Sequence, residues 1–433
     1  MFNPQISKIW RYNKNSVHAQ GRRDSHPDLG EKGNDVKWKK LSGFDTITPE
    51  SIRKLSLSRN EPSWLTEYRL EAFQLLDSSQ VSPYWPSGPD QGFSEPPDSL
   101  GVMKYYHHPD EADVVYQQLQ ESLASKDIVY GDFFDVLGTN PELIQRYLGR
   151  VINYRESTLS LLNMALFTGG MVIYVPDGVS CEVPLSYFRT FSNPGQIERQ
   201  LIIIGAGASA SFVEGRPSLS YAPSHLVQTE VVLEHDARLS YTAVKNWDKQ
   251  VNTWVQKRAL CEKGSQMAWI EGHFGGHQSH EWTDTLLTGE HSHANIVAYA
   301  FSSASQTISY RPRIVHEGRN TTSHLSVHAV AQGELTVEAG QYVLSRAHHC
   351  DVTRDILVIE TTPGIALIRN QSLVSREDAV ITGPEFSLKS WNGEINASAG
   401  NKALEISKTF LSHLPMEFSI EAQRLINQKS EKC

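Results

Sequence analysis

Hydrophobic and polar residues follow three different rhythms along this chain. Residues 1–45, typified by HAQGRRDSHPDLGEKGND, mix charge with Asn, Gly and Ser and show no apolar period. Such a stretch buries too little to offset its ordering entropy, so it reads as a mobile N-terminal arm. From 46 to 165 the spacing is helical. Thr48-Pro49-Glu50 offers a helix start, Trp64, Leu65, Tyr68 and Phe73 recur at roughly helical spacing, and Pro109 to Ser125 continues the pattern. Asn140 before Pro141 reads as a cap with proline in the first turn. Between these helices, 81–101 holds five prolines, which excludes continuous helix or central strand.

Over 166–395, and clearly from Thr168, the period shortens to two, as in MVIYV, ASASFVEG, TEVVLEHDARLSYTAV, HLSVHAV and DILVIET. Strands this short, punctuated by Gly, Asn and Asp, predict a mainly β core: a sandwich, a barrel or a stacked solenoid. LIIIG loses its alternation, as a parallel strand buried on both faces does. Helical spacing returns over 396–433, where Pro415-Met416-Glu417-Phe418 opens an amphipathic run to Ile426.

Composition narrows the function classes. The 433 residues carry 40 Lys plus Arg against 49 Asp plus Glu, a net charge of −9, so nucleic acid and anionic lipid are poor partners. Mean hydropathy is −0.38, and no apolar run approaches the ~20 residues a membrane helix needs. The start, MFNPQISKIWRYNK, has no apolar h-region, and the expectation is a cytoplasmic protein. Cys181, Cys261, Cys350 and Cys433 lie far apart with no CxxC, so any metal site gathers its ligands from distant segments.

Cys261 stands out because Lys257 and Arg258 precede it, and cations near a thiol favour the thiolate. The expectation is an accessible, reactive Cys261 and, in its apolar surroundings, a packed Cys181. Cys350 follows His348 and His349, a nitrogen and sulfur set that iron or zinc accepts. His273, His277 and His280 flank a Gly-Gly turn, His291 and His293 would share one face of a strand, and so would His324 and His328. Gly205-Ala206-Gly207-Ala208-Ser209 precedes strand rather than helix, which argues against a phosphate loop.

Longer strings carry a family resemblance. SRNEPSWLTEYRLEAF, NPELIQRYLG, YVPDGVSCEVPLSYFRT, GQIERQLIIIGAGASASFVEG, SYTAVKNW, VQKRALCEKGSQMAW, HEGRNTTS and LPMEFSIEAQRLI resemble, in order, segments of SufB, the iron–sulfur cluster assembly scaffold of the SufB/SufD family. The resemblance runs from about Lys37 to Asn427. It implies a right-handed parallel β-helix core flanked by helical regions, and a scaffold rather than an enzyme. It implies persulfide sulfur accepted at Cys261 from the cysteine desulfurase machinery, a transient iron–sulfur cluster, and flavin as a further cofactor. The implied partners are a SufC-like ATPase and either a SufD-like chain or a second copy of this one. The ATPase would dock on the last segment, through Pro415, Met416, Glu417, Phe418, Glu421 and Leu425.

The chain departs from SufB where that family carries (Gln or Glu)-Cys-Asp-Ser-x-Leu-Leu. One alignment places Arg354 at the thiol; the other uses Cys350-Asp351 and needs inserted residues. A later His-Glu-Ala-Thr becomes Arg376-Glu377-Asp378-Ala379. Cys350 with His348, His349 and Asp378 is therefore the expected metal set, and a SufD-like structural paralog that builds no cluster is the alternative. A polysaccharide-active solenoid fits poorly, because no acid pair flanked by aromatic clusters is evident.

Overall fold

Ten-residue strands recur through the centre of the chain, two per repeat, and successive strands join opposite sheets. The computed structural model describes residues 47–78, 123–188, 195–217, 224–247, 250–303, 305–361, 364–374, 380–382 and 387–391, all within one unit of the chain, 37–433. One sheet runs from Val129–Asp132 and Met171–Val175 through Gly195–Ile204, Ser224–Leu233, Asn252–Cys261, Gln278–Leu287, Thr307–His316 and Glu334–Val343 to Ile365–Val374. The other includes Ser209–Pro217, Arg238–Trp247, Gln266–Gly275, His293–Ser302, Thr322–Ala331 and Asp351–Thr361. Apart from the antiparallel pair Val129–Asp132 with Met171–Val175, the strand pairings are parallel. The fold is a parallel β-solenoid of about six turns, so of the three β architectures left open by the strand pattern, the stacked one is realised.

One corner explains the repeat. Gly178, Gly207, Asp236, Gly264, His291, Asn320 and His349 all have φ between 54° and 70°, at intervals of 27 to 29 residues. Each sits between a strand of the first sheet and one of the second. The non-glycine members are Asp, Asn and His, the side chains best tolerated in the left-handed region. At Gly264 a Cβ would lie 2.0 Å from Asp236 Oδ1, so stacking there also needs the missing side chain. Backbone N–H groups of Gly207, Asp236, Gly264, His291 and Asn320 each donate to a carbonyl of the next turn at 2.7 to 2.9 Å.

The helices Pro49–Ser58, Ser63–Ser78, Phe133–Thr139, Pro141–Tyr147 and Thr158–Leu166 pack their apolar residues on the outer face of the first sheet, against Ile197, Leu201, Ile203, Leu226 and Trp254. Thr48 caps the first helix, accepting from the Ser51 N–H at 3.2 Å. Asn140 occupies the cap position before Pro141, yet its side chain makes no cap bond; its Oδ1 accepts instead from Thr139 Oγ1 at 3.0 Å. The predicted helix of Pro109 to Ser125 lies outside the described residues up to 122, as do the N-terminal arm and residues 392–433.

Inward positions are Val, Ile, Leu and small residues at the corner, for example Ile202, Val231 and Ala259 in register. Mid-strand the interior is polar, which pattern reading missed. Gln200, Thr229, Lys257 and Thr283 stack in register, and Lys257 pairs across the interior with Glu271 on the opposite sheet. Lys245 pairs with Glu281 in the same space. Thr283 Oγ1 and the Tyr310 hydroxyl donate to Glu271 Oε2 at 2.8 and 2.6 Å. Buried charges persist only when paired and hydrogen-bonded, and these are.

Candidate functional site: the thiol-bearing corner

Cys261 is the last residue of its strand and points inward, between Leu233 and Leu287 of the adjoining turns. It is 0% exposed, and burial pushes its thiol up to about 12, offset only in part by a hydrogen bond with Ser265. The two cations do not activate it. Four residues along a strand separate Lys257 from Cys261 by about 13 Å, and the intervening alternation sends Arg258 to the opposite face. Lys257 is committed to Glu271, and Arg258 to Glu156 at 2.8 Å and Asp284 at 3.4 Å. The expectation that Lys257 and Arg258 stabilise a Cys261 thiolate is therefore corrected by strand geometry.

The turn over Cys261 is tied from two sides. Ser265 Oγ donates to the Glu262 carbonyl at 2.7 Å, and Arg150, from the helical region, pairs with the Glu262 carboxylate at 2.9 Å. Cys181 is the most accessible of the three described thiols, at 8% against 0% for Cys261 and 1% for Cys350. Burial raises its pKa as well, while Lys126 acts the other way. The expected order of accessibility between Cys261 and Cys181 is thus reversed.

The structure joins Cys261 to Cys350 in a way that sequence spacing does not suggest. From Asp236 onward, the residue after each left-handed corner position is Ala237, Ser265, Ser292, Thr321 or Cys350, each almost fully buried. They stack in register, because the N–H of the following residue donates to the carbonyl of the one before: His293 to Ser265, Thr322 to Ser292 and Asp351 to Thr321, at 2.8 to 3.1 Å. Three turns at ~4.8 Å each separate Ser265 from Cys350, about 14 Å. The inner corner is thus a file of hydroxyls with Cys261 beside one end and Cys350 at the other. The missed residues Ser265, Ser292 and Thr321 carried one signal, their 27-to-29-residue spacing.

Cys350 Sγ lies 3.2 Å from Thr321 Oγ1. His349 is the exposed left-handed corner residue, and the backbone carbonyl of His348 accepts from Asn320 at 2.8 Å. Asp378 lies outside the described residues, as do Pro415, Met416, Glu417, Phe418, Glu421 and Leu425. Among the described residues no group of three or more His, Cys, Asp or Glu is placed to hold a metal ion. His291 shares no strand face with His293, because it occupies the corner with φ 61°. His324 and His328 do share the outer face, but bond separately to Thr353 and Asp355, at 2.8 Å each. Arg354 points inward in register with Leu325, its Nε donating to Gln341 Oε1 at 2.9 Å.

Among the described residues no helix is long and apolar enough to cross a membrane. A family model for the SUF system FeS cluster assembly SufBD core domain matches residues 187–343, and one for the SufBD protein N-terminal region matches 103–186. An iron–sulfur cluster assembly SufBD family protein of Staphylococcus aureus is 26% identical over 434 residues, covering 89% of this chain and 93% of its own length. One of Staphylococcus epidermidis is 26% identical over 457 residues, covering 94% and 98%. With the two models together spanning more than half of the chain, and relatives aligned over nearly their full length, this chain belongs to the SufBD family of the SUF iron–sulfur cluster assembly system.

Proposed function

We propose that the chain is a SufB-like scaffold that takes up sulfur at Cys261 and passes it toward Cys350 within a SUF-type assembly complex. The observation that carries this reading is the corner file: a column of small hydroxyl residues that ends on the buried Cys350 thiol, with the buried Cys261 thiol beside its Ser265 end. Uptake requires the Glu262–Ser265 turn to open, since a thiol held near 12 and closed off from solvent attacks no persulfide. Opening of single turns at a cost well below global unfolding is ordinary in folded proteins. In this reading the iron–sulfur cluster is cargo, the segment from Ala403 to Ile426 docks a SufC-like ATPase, and a SufD-like chain or a second copy completes the complex.

The second reading is a SufD-like architectural subunit. It is favoured by the burial of Cys261 and by the commitment of Lys257 and Arg258 to carboxylates. Anaerobic incubation of the full complex with a cysteine desulfurase system and cysteine, followed by peptide-resolved mass spectrometry, separates the two. A persulfide on Cys261 that disappears in Cys261→Ser supports sulfur uptake; an unlabelled Cys261 in a complex that still assembles supports the architectural subunit.

A further inference from the structure

Residues 148–157 join the helices Pro141–Tyr147 and Thr158–Leu166 and belong to neither, so their buried backbone groups need partners elsewhere. They find them on the first sheet. Glu230, in the strand Ser224–Leu233, is 0% exposed, and its carboxylate accepts from the N–H groups of Gly149, Val151 and Ile152 at 2.9, 2.9 and 3.0 Å and from Arg199 Nη2 at 2.6 Å. Carbonyls of the same stretch are held as well. Arg199 donates to that of Ile152 and Arg258 to that of Val151, both at 3.1 Å, and Arg258 also reaches Glu156 at 2.8 Å. Backbone N–H groups converging on an anion form a nest, and here the chain fills it with its own carboxylate. Gly149 supplies the bend, with φ 77°, and a Cβ there would meet nothing within 4 Å.

The same stretch reaches two corner turns. The Tyr147 hydroxyl donates to Glu234 Oε1 at 2.6 Å, and Arg150 pairs with Glu262 at 2.9 Å. Glu234 follows Leu233 and Glu262 follows Cys261, at the ends of neighbouring parallel strands. Glu230 and Arg258 are register partners on those strands, shortly before Leu233 and Cys261. An exposed ion pair such as Arg150 with Glu262 holds little alone. Arg150, however, stands between Gly149 and Val151, whose amides the buried Glu230 fixes, so its guanidinium is presented to the turn with part of the ordering already done.

We infer that residues 147–156 are a strap that keeps the turn over Cys261 shut, with Glu230 and Arg258 as the positioning residues that fasten it. Lifting the strap takes Tyr147 from Glu234 and Arg150 from Glu262, and leaves the Ser265 hydroxyl on the Glu262 carbonyl to close the turn. Arg258 then acts on Cys261 through access rather than through charge. The inference rests on the sulfur-uptake reading only for what enters when the turn opens. Local opening of a short connecting stretch needs no unfolding of the solenoid beneath it.

Gly149 allows a test that touches no side chain of the solenoid. An L-residue held in the left-handed region is strained until the strap lifts, so its strain enters the opening equilibrium directly. In the full-length chain at fixed pH, Gly149→Val should speed iodoacetamide labelling of Cys261 about tenfold, read by peptide-resolved mass spectrometry, with Cys181 and Cys350 unchanged. Gly149→Asn, which tolerates that region, should change it by about twofold or less. Amide exchange at Val151 and Ile152 should rise with the same factor as the labelling, which loosening elsewhere does not produce. Unchanged Cys261 labelling in Gly149→Val overturns the inference, as does an Asn variant as fast as the Val variant. An equal rise at all three thiols also overturns it, because that is the signature of global unfolding. If Gly149→Val does not fold, Gly149→Ala is judged by the same criteria, with an expected rise of about fivefold. A Cys261 that alkylates as expected yet takes no persulfide refutes sulfur uptake and leaves the strap standing.

Discussion

Replacing Lys257 by Met tests the polar interior of the solenoid directly. Lys257 and Glu271 are both 0% exposed, and the ammonium also lies 5.2 and 5.1 Å from the ring centres of Tyr241 and Trp269. The variant strands the Glu271 carboxylate in the interior, which costs about 3–5 kcal/mol when nothing compensates. Two donors remain, Thr283 Oγ1 and the Tyr310 hydroxyl. The expected loss therefore falls at the lower end, ~3 kcal/mol. The double variant Lys257→Met with Glu271→Gln removes both charges and keeps an acceptor for both hydroxyls, so its expected loss is only ~1 kcal/mol. Urea unfolding of the full-length chain at neutral pH, monitored by circular dichroism, measures each loss and their coupling. The single variant should approach wild type as the pH falls, because the stranded carboxylate then takes up a proton. A loss below ~1 kcal/mol for the single variant, or a double variant no more stable than the single one, refutes a desolvated ion pair here.

Arg150→Ala releases the exposed pair on the Glu262 turn, worth ~0.5–1 kcal/mol, and should speed alkylation of Cys261 about two- to fivefold without altering Cys350; equal rates at Cys261 would dissociate that ion pair from turn opening. Cys261→Ala opens space between Leu233 and Leu287 and should cost about 1–2 kcal/mol in urea unfolding, more than Cys181→Ala, whose side chain reaches the surface. His316 gains its proton only below about 3 when folded, against 6.5 for the ordinary side chain. Between those values the unfolded chain binds the extra proton, so His316 costs stability as pH falls, by at most about 1.4 kcal/mol per unit, and His316→Gln should flatten that slope. Deleting residues 403–433 should abolish co-purification with a SufC-like ATPase, and retained binding would place the ATPase contact elsewhere.

By itself the sequence determined the β core, its helical flank and the family. Period-two alternation through 166–395, the Thr48 start and the long strings around NPELIQRYLG and VQKRALCEKGSQMAW are local properties, set by which residues neighbour each other along the chain. What the tertiary structure decided is everything that depends on stacking. Strand alternation separates Lys257 and Arg258 from the thiol they precede, a distinction adjacency in sequence does not hold. The repeat of 27 to 29 residues makes His291 a corner residue rather than a partner of His293 on one strand face, because φ at that position is dictated by the turn between sheets. The same repeat brings Ser265, Ser292, Thr321 and Cys350 into one column, and brings Lys257 and Glu271 together across the interior. Coil closure sets those neighbours: each turn of the solenoid places a residue ~4.8 Å from its counterpart nearly thirty positions away, nearer than the second residue along its own strand.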